Sequence, residues 1–236
     1  CRKDMQLSKR LSAVAKLVTP GSRLADVGCD HGYLPIALVK SGKVVSAIAM
    51  DVNEGPLMRA RQNIESFAAA QYIETRLSDG LEALRPGEAD SLILAGMGGH
   101  LMMRILEEGE EVLQTLKEII LQPQSEIAGV RRWLFCHGYA ITAEDMVYED
   151  GKYYTMIKAV HGPAAEEPSV FCRFGRLLLT ARHPVLEQYL RERLEKDRAI
   201  CEQIGKNARG GSQKKAEEIK KEMQEIISAL SYYEMQ

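Results

Sequence analysis

Apolar and polar positions alternate along the chain up to His137 in a way that predicts strands and helices in turn. Apolar runs of roughly four to eight residues are typical of strands buried in a parallel sheet. We predict five such strands: Arg23–Val27, Val44–Met50, Tyr72–Leu77, Ser91–Leu94 and Glu118–Leu121. Apolar residues spaced by three and four predict helices over Leu7–Val18, Leu34–Lys40, Pro56–Ala70 and His100–Glu107, and from an N-cap at Ser125 to His137.

The pattern changes after His137. Ala140–Glu149 and Lys152–Val160 are two strand-like runs, and Asp150-Gly151 between them is typical of a tight antiparallel hairpin. The chain is therefore predicted to form an α/β fold with a mainly parallel, Rossmann-like sheet closed by one antiparallel hairpin. This arrangement looks like that of class I methyltransferases, because the doubly wound sheet of nicotinamide-binding proteins normally stays parallel throughout.

The last part of the chain predicts a helical hairpin. Helices are expected over Val185–Asn207 and Lys214–Tyr233, joined by a short glycine-rich loop, and such a pair should be antiparallel. The second helix carries a coiled-coil seam of Ala216, Ile219, Met223, Ile226, Leu230 and Tyr233. The first is less regular, with Leu186, Leu190, Leu194, Ile200 and Ile204. We divide the chain into a domain of residues 1–162 and a helical coiled-coil domain of residues 163–236.

Composition narrows the class of protein. Five scattered cysteines without a C-x-x-C pair argue against a disulfide framework and a zinc cluster, so we expect no metal. No apolar run is long enough to span a bilayer, and Lys9, Arg10 and Lys16 interrupt any signal-peptide core. We expect a cytoplasmic protein. The formal net charge of −2 means that any contact with nucleic acid must come from a local basic patch.

Acidic residues follow three consecutive strands of the predicted sheet. Asp26 and Gly28 end the first strand, Asp51 ends the second, and Asp79 follows the third. In open α/β sheets such strand ends meet at one ligand-binding edge. The glycines do not fit the phosphate-binding spacing G-x-G-x-x-G, so a cationic sulfonium suits this edge better than a pyrophosphate, and we predict an S-adenosylmethionine site. The alternatives are a tight turn at Gly28 and a helix N-cap at Asp79.

The segment after the fourth strand bears on the methyl acceptor. Enzymes that methylate exocyclic amines usually carry Asn/Asp-Pro-Pro-Tyr/Phe there, whereas this chain has Ala95–Gly99 with sequence AGMGG. Glycines offer backbone groups and room for a flat ring but no side-chain carboxamide. The pattern therefore argues against methylation of an exocyclic amine, although Gly98 and Gly99 are equally explained by a tight turn.

Three polar side chains follow the cofactor loop. Asp30 is expected either to accept a hydrogen bond from a substrate amine and offset positive charge on the ring, or to cap the next helix. His31 is either a base or a contact, and Tyr33 either stacks on a base or packs in the core. Basic residues form three groups that either lie on solvated faces or follow an RNA backbone: Arg2, Lys3, Lys9 and Arg10; Arg173, Arg176, Arg182 and His183; Lys206, Arg209, Lys214 and Lys215.

Four motifs together resemble the bacterial tRNA (adenine(22)-N1)-methyltransferases. They are LSKRL at Leu7–Leu11, DVGCDHGYLP at Asp26–Pro35, AGMGG at Ala95–Gly99 and LQP at Leu121–Pro123. The resemblance implies methyl transfer from S-adenosylmethionine to ring N1 of an adenine in the D-arm region of tRNA. It also implies an N-terminal methyltransferase domain and a helical C-terminal domain that aids tRNA binding. We expect neither a membrane nor an obligate protein partner.

On this basis we assign roles to individual residues. The resemblance makes Asp30 the catalytic residue. The cofactor set is Asp26, Gly28, Asp51, Val52, Asp79, Gly80, Gly96 and Met97, and the substrate set is Lys9, Arg10, His31, Tyr33, Gly98 and Gly99. Two alternatives stay open: a small-molecule methyltransferase that uses the same cofactor, and a non-catalytic RNA-binding protein.

Overall fold

The computed structural model of the chain describes residues 6–163, 167–206 and 212–234. It divides into two compact units, Cys1–Glu166 and Glu167–Gln236. The strands of the first unit are β1 (Ser22–Val27), β2 (Val44–Asp51), β3 (Ile73–Leu77), β4 (Ser91–Met97), β5 (Glu118–Pro123), β6 (Tyr139–Glu149) and β7 (Lys152–His161). Its helices are α1 (Lys9–Leu17), α2 (Tyr33–Lys40), α3 (Glu54–Ser66), α4 (Gly99–Glu108), α5 (Glu110–Leu113) and α6 (Ile127–Cys136).

The seven strands form one sheet in the order β3-β2-β1-β4-β5-β7-β6. β1 pairs in parallel with β2 on one side and with β4 on the other, whereas β7 is antiparallel to both β5 and β6. The turn between β6 and β7 has φ of 50° at Asp150 and 76° at Gly151, the left-handed conformation that a two-residue hairpin turn requires. The predicted α/β fold with its closing hairpin is confirmed.

Apolar side chains cover both faces of the sheet, because neighbouring residues of a buried strand point to opposite faces. Leu92 and Leu94 of β4 pack in one cluster with Met102 of α4. Ile93, between them, packs in the other cluster with Ile36 of α2. This two-sided burial explains why the central strands have continuous apolar runs.

Helix α1 is held against the sheet at both ends. The Glu149 carboxylate accepts hydrogen bonds from the backbone N–H groups of Lys9 and Arg10 at 2.7 and 3.1 Å. At the other end, Lys43 Nζ donates to two carbonyls of the last turn at 2.7 and 2.9 Å. An anion at the helix start and a cation at its end satisfy unpaired backbone groups and complement the helix dipole.

Strand β4 extends to Met97, three residues beyond the prediction. Gly96 has φ of 77°, and the register with β5 shifts between Ala95 and Met97. Glycine adopts this conformation without a Cβ penalty, so the strand continues through a bulge. The predicted turn over Ala95–Gly99 is therefore wrong for its first three residues.

Helix α6 begins at Ile127, and the prediction of Ser125 as its N-cap is wrong. The N-cap residue is Glu126, with φ of 53° and no side-chain hydrogen bond. Ser125 bonds to a different helix: its Oγ and its carbonyl accept from the backbone N–H of Gly99 at 3.3 and 3.1 Å. Ser125 thus satisfies a donor at the start of α4.

Helix α3 covers Glu54–Ser66, whereas Pro56–Ala70 is predicted. Pro56 lies in the first turn, where a missing N–H costs nothing, so the helix can begin two residues earlier. Ala68, with φ of 51°, is outside helical geometry and ends the helix before the predicted last turn. The other strands and helices of the first unit lie within two residues of their predicted ends.

The second unit contains α7 (Ser169–Phe174), α8 (Arg176–Thr180), α9 (Pro184–Lys206) and α10 (Ser212–Glu234). Helices α9 and α10 are antiparallel, as predicted. Tyr233 near the end of α10 donates to the carbonyl of His183 at 2.9 Å, and Arg193 donates to Glu222 at 3.1 Å. The predicted loop between the helices lies largely outside the described residues.

The seam of α10 is buried or half-buried at all six predicted positions. In α9 the seam differs from the prediction, because Ile200 is 38% exposed while Asp197 is 1% exposed. An aspartate can occupy this position because Arg193, one turn earlier, pairs with its carboxylate at 3.1 Å. Neither long helix, nor any other helix in the described part, is long and apolar enough to cross a membrane.

Candidate functional site

A cavity of about 280 Å³ opens at the carboxyl ends of β1 and β4, where the strand order reverses. Ligands of open α/β sheets bind at this switch point. The wall is built from α1, the β1–α2 connection, the end of β4 and the residues after β5. Its lining residues are Arg10, Leu11, Asp26, Gly28, Cys29, Asp30, His31, Tyr33, Leu34, Ala95, Gly96 and Gln124.

Two hydrogen bonds hold the β1–α2 connection against β2. The backbone N–H groups of Gly28 and Cys29 both donate to the carbonyl of Met50, at 2.8 and 3.0 Å. Gly28 has φ of 75°, and a Cβ there would lie 3.3 Å from Cε of Met97. The positive φ requires a glycine, whereas the Met97 contact involves only the flexible end of a side chain. The tight turn that the sequence offers as one reading of Gly28 is therefore observed, and its contact with a cofactor stays a prediction.

Two acids meet below this connection. Asp26 is 4% exposed and Asp51 is 7% exposed. Burial raises the pKa of Asp26 to about 7, and the nearby Asp51 carboxylate raises it as well. Asp51 Oδ1 accepts from the backbone N–H of Asn53 at 2.9 Å.

Asp26 has no such partner. Within residues 6–163 and the described part of the second unit, no cation lies within 4.0 Å of its carboxylate and no hydrogen bond reaches it. An unpaired buried carboxylate is costly in a folded protein. A positively charged ligand group in the cavity would relieve this cost.

Asp30, His31 and Tyr33 lie together at the cavity. The Asp30 side chain is 66% exposed, its φ is 49°, and one carboxylate oxygen is 3.7 Å from Nε2 of His31. The rings of His31 and Tyr33 stack with centroids 5.7 Å apart. Helix α2 has Gly32 as its N-cap and no side-chain cap, so the alternative in which Asp30 caps this helix is not observed.

Gln122 belongs to this region, although the sequence predicts no role for it. It is fully buried at the end of β5, and its Oε1 accepts from Arg10 Nη1 at 2.8 Å and from the backbone N–H of Gly96 at 3.0 Å. Three separate segments therefore meet at one carboxamide. The signal for it was a polar residue that ends an otherwise apolar buried strand. Gln124 and Cys29 also line the cavity without having been assigned.

Several predicted site residues lie outside the cavity wall. Asp79 is half-exposed and pairs with Arg104 at 3.5 Å, and no helix follows it that it could cap. A Cβ on Gly80 would lie 3.2 Å from Ile105 of α4. Val52 is 56% exposed. Their contacts with a cofactor stay predictions.

Gly98 and Gly99 begin α4 rather than line the cavity. A Cβ on Gly99 would lie 2.5 Å from the carbonyl oxygen of Ser125, so helix packing alone requires this glycine. Lys9 is exposed beside Arg10 on α1. A role of these residues in substrate binding is therefore supported only by the family resemblance.

Of the predicted basic groups, the second is largely paired with acids. Arg173 pairs with Glu222 and Glu225, and Arg176 pairs with Glu167 at 3.2 Å. Lys214 and Lys215 are exposed on α10. Three of the predicted basic residues, Arg2, Lys3 and Arg209, lie outside the described residues, as does the side chain of Lys206. The described ranges contain no group of three or more His, Cys, Asp or Glu side chains that could hold a metal ion.

Comparison with known proteins identifies the family. Residues 7–157 match the family model described as "Methyltransferase domain". A tRNA (adenine(22)-N(1))-methyltransferase of Bacillus subtilis is 36% identical over 210 residues, which are 87% of this chain and 88% of that protein. The crystal structure of the B. subtilis m1A22 tRNA methyltransferase TrmK matches with a TM-score of 0.85 and 33% identity, over 96% of this chain and 100% of that one.

A second solved structure is M. capricolum TrmK in complex with S-adenosyl-homocysteine. It matches with a TM-score of 0.83 and 29% identity, over 96% of this chain and 98% of that one. These similarities extend over the switch-point cavity and over the helical hairpin alike. The chain therefore belongs to the tRNA (adenine(22)-N1)-methyltransferase family.

Proposed function

We propose that the protein transfers a methyl group from S-adenosylmethionine to ring N1 of adenine 22, in the D-arm region of tRNA. The observation that carries this proposal is Asp26, a buried carboxylate without a partner at the wall of a switch-point cavity. The cofactor carries an ammonium group and a sulfonium centre, the kind of charge that such a carboxylate accommodates. The relatives' names and the S-adenosyl-homocysteine complex of one of them support the same activity.

The residues around the cavity fit an adenosine-bearing cofactor. Asp51, at the end of β2, would hold the ribose hydroxyls. Asp26 would neutralise the cofactor's cationic end. Gly28 and Gly96, which have no Cβ, would let the cofactor approach their backbone closely, and Met97 is the third proposed contact of this group. Asp79, Gly80 and Val52 complete the proposed set at the adenine, on the strength of the resemblance. When bound, the cofactor supplies an activated methyl group on its sulfur.

The proposed methyl transfer does not require a strong base. Adenine N1 has an in-plane lone pair that can attack a methyl carbon directly, and the product ring is cationic. Asp30 lines the cavity. There it would orient the adenine through its amino group and offset the developing positive charge. Positioning the ring in line with the methyl group contributes most of the remaining acceleration.

Access to N1 requires the base to leave its stacked position in the folded tRNA. His31 and Tyr33, already stacked on each other at the cavity, offer a surface for an exposed base. Lys9 and Arg10 on α1, with Gly98 and Gly99, complete the proposed substrate side.

Residues 163–236 are proposed to aid tRNA binding, with residues 1–162 as the catalytic domain. Support comes from Lys214 and Lys215, which are exposed on α10. Reversing both charges, with Lys214→Glu and Lys215→Glu, should raise KM for tRNA at least several-fold and lower its salt dependence. Affinity for S-adenosyl-homocysteine, measured by calorimetry, should stay unchanged. Equal tRNA kinetics in the variant and the parent would contradict this role.

The activity itself is tested with tRNA transcripts that lack modifications. The protein, methyl-labelled S-adenosylmethionine and a transcript with adenine at position 22 are incubated, and the RNA is hydrolysed to nucleosides. We expect labelled 1-methyladenosine, and none from a matched transcript with guanine at position 22. Label in N6-methyladenosine, or no labelled nucleoside from a protein that binds the cofactor, would overturn the proposal.

The role of Asp30 is tested by Asp30→Ala. We expect the single-turnover rate to fall about 10²- to 10³-fold, as when one electrostatic stabiliser is removed from an active site. Cofactor affinity should be kept, because Asp30 is exposed at the mouth rather than buried with Asp26 and Asp51. The matched control is Glu82→Ala, an exposed acid outside the cavity wall. An unaltered single-turnover rate for Asp30→Ala would exclude the role.

A further inference from the structure

Gln122 and Gln124 lie two residues apart at the end of β5, but their carboxamides have different surroundings. Gln122 is fully buried, and its oxygen accepts hydrogen bonds from Arg10 and from the backbone N–H of Gly96. Gln124 is exposed and lines the cavity. Among the residues that the structure describes, nothing forms a hydrogen bond with its side chain. The carboxamide of Gln124 is therefore available to a ligand in the cavity.

The backbone on both sides of this carboxamide is fixed. The backbone N–H of Gln124 donates to the carbonyl of Met97, the last residue of β4, at 2.9 Å. Pro123 before it has a restricted φ, and Ser125 after it accepts from the backbone N–H of Gly99. The ends of β4 and β5 are joined at this point, so Gln124 extends from a rigid part of the site.

Gln124 also lies beside the β4 segment that bears on the methyl acceptor. The sequence AGMGG of Ala95–Gly99 contains no side-chain carboxamide. A Cβ on Gly96 would lie 4.0 Å from Nε2 of Gln124, so the two residues are neighbours at the cavity wall. The structure thus brings a carboxamide to this segment from the adjacent strand.

Methyl transfer to N1 restricts how an adenine can be held, because N1 must stay free to face the methyl group. The opposite edge of the base offers N7 as an acceptor and one N–H of the amino group as a donor. A glutamine carboxamide can pair with both at once, since its oxygen accepts and its nitrogen donates. Ionised Asp30 is an acceptor only, so it can bind the amino group but not N7.

We propose that Gln124 binds the amino group and N7 of the target adenine and thereby directs N1 toward the methyl group. The inference rests on the proposed function and adds to it a residue that determines which ring nitrogen faces the cofactor. The amino group has two N–H donors, so Gln124 and Asp30 can each bind one of them.

The first test removes the carboxamide. Gln124→Ala should lower kcat/KM for tRNA about 10- to 100-fold, the range for a lost bidentate contact with a base. Affinity for S-adenosyl-homocysteine, measured by calorimetry, should change less than about 2-fold, because the contact is with the substrate. Gln114→Ala, at an exposed glutamine after α5 and outside the cavity wall, is the matched control and should change neither quantity.

The second test removes N7 from the substrate. A tRNA assembled from synthetic halves carries 7-deazaadenine at position 22, in which a C–H group replaces N7. This replacement also changes the basicity of N1, so the rates on the two substrates are compared as a ratio within each protein. The preference for adenine over 7-deazaadenine should be about 5- to 10-fold larger in the parent than in Gln124→Ala, where N7 has no partner to lose.

The third test changes one atom of the protein. Gln124→Glu keeps an acceptor for the amino group but replaces the donor to N7 by a second acceptor. Its carboxylate should repel N7 but not the C–H group of 7-deazaadenine. We therefore expect this variant to methylate adenine more slowly than the parent does and to have the smallest preference for adenine of the three proteins.

Three results would overturn the inference. An equal substrate ratio in the parent, Gln124→Ala and Gln124→Glu would mean that Gln124 does not contact N7. A matching loss of S-adenosyl-homocysteine affinity in Gln124→Ala would assign the residue to the cofactor. Unchanged kinetics in Gln124→Ala would leave the carboxamide without a role. If the parent formed no 1-methyladenosine from the adenine substrate, the proposed function would fail first, so the two failures are distinguishable.

Discussion

Two carboxylates buried at opposite ends of the parallel strands differ in whether they have partners inside the protein. Asp26 lies at the carboxyl end of β1 and Glu118 at the start of β5, and they are 4% and 5% exposed. Glu118 is surrounded by donors: Lys158 Nζ at 2.7 Å, Ser91 Oγ at 2.7 Å and the backbone N–H of Thr19 at 2.8 Å. Asp26 has no comparable neighbour among the described residues.

The pKa values of the two groups move in opposite directions. For Asp26, burial raises the pKa to about 7 and Asp51 adds to the rise. For Glu118, burial also acts upward, but hydrogen bonds from Lys158, Thr19 and Ser91 outweigh it and hold the pKa below its usual range. Similar burial therefore has opposite outcomes, and the partners decide which one occurs.

The pH dependence of each group's contribution to stability follows from the direction of its pKa shift. The pKa of Glu118 is lower in the folded than in the unfolded protein, so its stabilisation is present above the usual glutamate range and is lost as pH falls. The pKa of Asp26 is raised, so its contribution is favourable at low pH and is lost as pH rises from about 4 to about 7. The charge of Glu118 has its partners inside the protein and stabilises the fold, whereas the carboxylate of Asp26 is available to a ligand.

The largest expected effect comes from removing the cation beside Glu118. Lys158→Met leaves a buried carboxylate with hydrogen bonds but no counter-charge, and we expect a loss of about 3 kcal/mol in the free energy of unfolding. Urea unfolding at pH 7.5 measures it. The control Lys117→Met removes an exposed lysine from its pair with Asp90 and should change stability by less than about 0.5 kcal/mol. If both variants had equally small effects, Glu118 would not depend on its counter-charge, and the contrast with Asp26 would be contradicted.

A second variant, Asp26→Asn, should do the reverse and stabilise the protein. The asparagine mimics the protonated acid, so the gain grows with pH as the parent's Asp26 ionises. We expect the gain at pH 8 to exceed the gain at pH 5 by about 2 kcal/mol. Urea unfolding at both pH values measures this difference. If the gain in stability did not depend on pH, burial would not destabilise the ionised form of Asp26.

The smallest expected effect concerns the ligand. A cationic group should bind the ionised form of Asp26, so affinity for S-adenosyl-homocysteine should rise about tenfold from pH 6 to pH 8. Binding at pH 7 should release protons, which calorimetry in two buffers detects.

The other titratable side chains that line this cavity are Arg10, Cys29, Asp30, His31 and Tyr33, and Asp51 lies close to Asp26. Histidines titrate in the same pH range, so His31→Gln is the control variant and should keep the dependence. Asp26→Asn should remove it. A flat profile in the parent would speak against Asp26 as the site of the ligand's positive charge.

Local patterns predicted much of the site. Asp26, Gly28, Asp30, His31, Tyr33, Gly96 and Arg10 were chosen from motifs, and all seven line one cavity. Gln122 was missed because its importance comes from two partners, 112 and 26 residues away in the chain. No local pattern marks a residue whose role is to join distant segments.

Asp197 and Ser125 illustrate the same limit. The seam of α9 was predicted from apolar spacing, but a pair with Arg193 allows an aspartate to be buried there. Ser125 has the sequence signal of an N-cap, yet its hydroxyl accepts from Gly99 of another helix. In both cases a side chain found its partner through tertiary contact, which outweighs a local preference.

The order of strands and helices, the hairpin at Asp150-Gly151 and the acids at the strand ends were determined by the sequence alone, because hydrophobic periodicity and turn chemistry act over a few neighbouring residues. Tertiary structure alone decided which acids have partners. Lys158 reaches Glu118 only because β7 lies next to β5, and Asp26 stays unpaired because the strands around it bring another acid instead of a cation. Electrostatic balance depends on distances in space, and sequence spacing does not contain them.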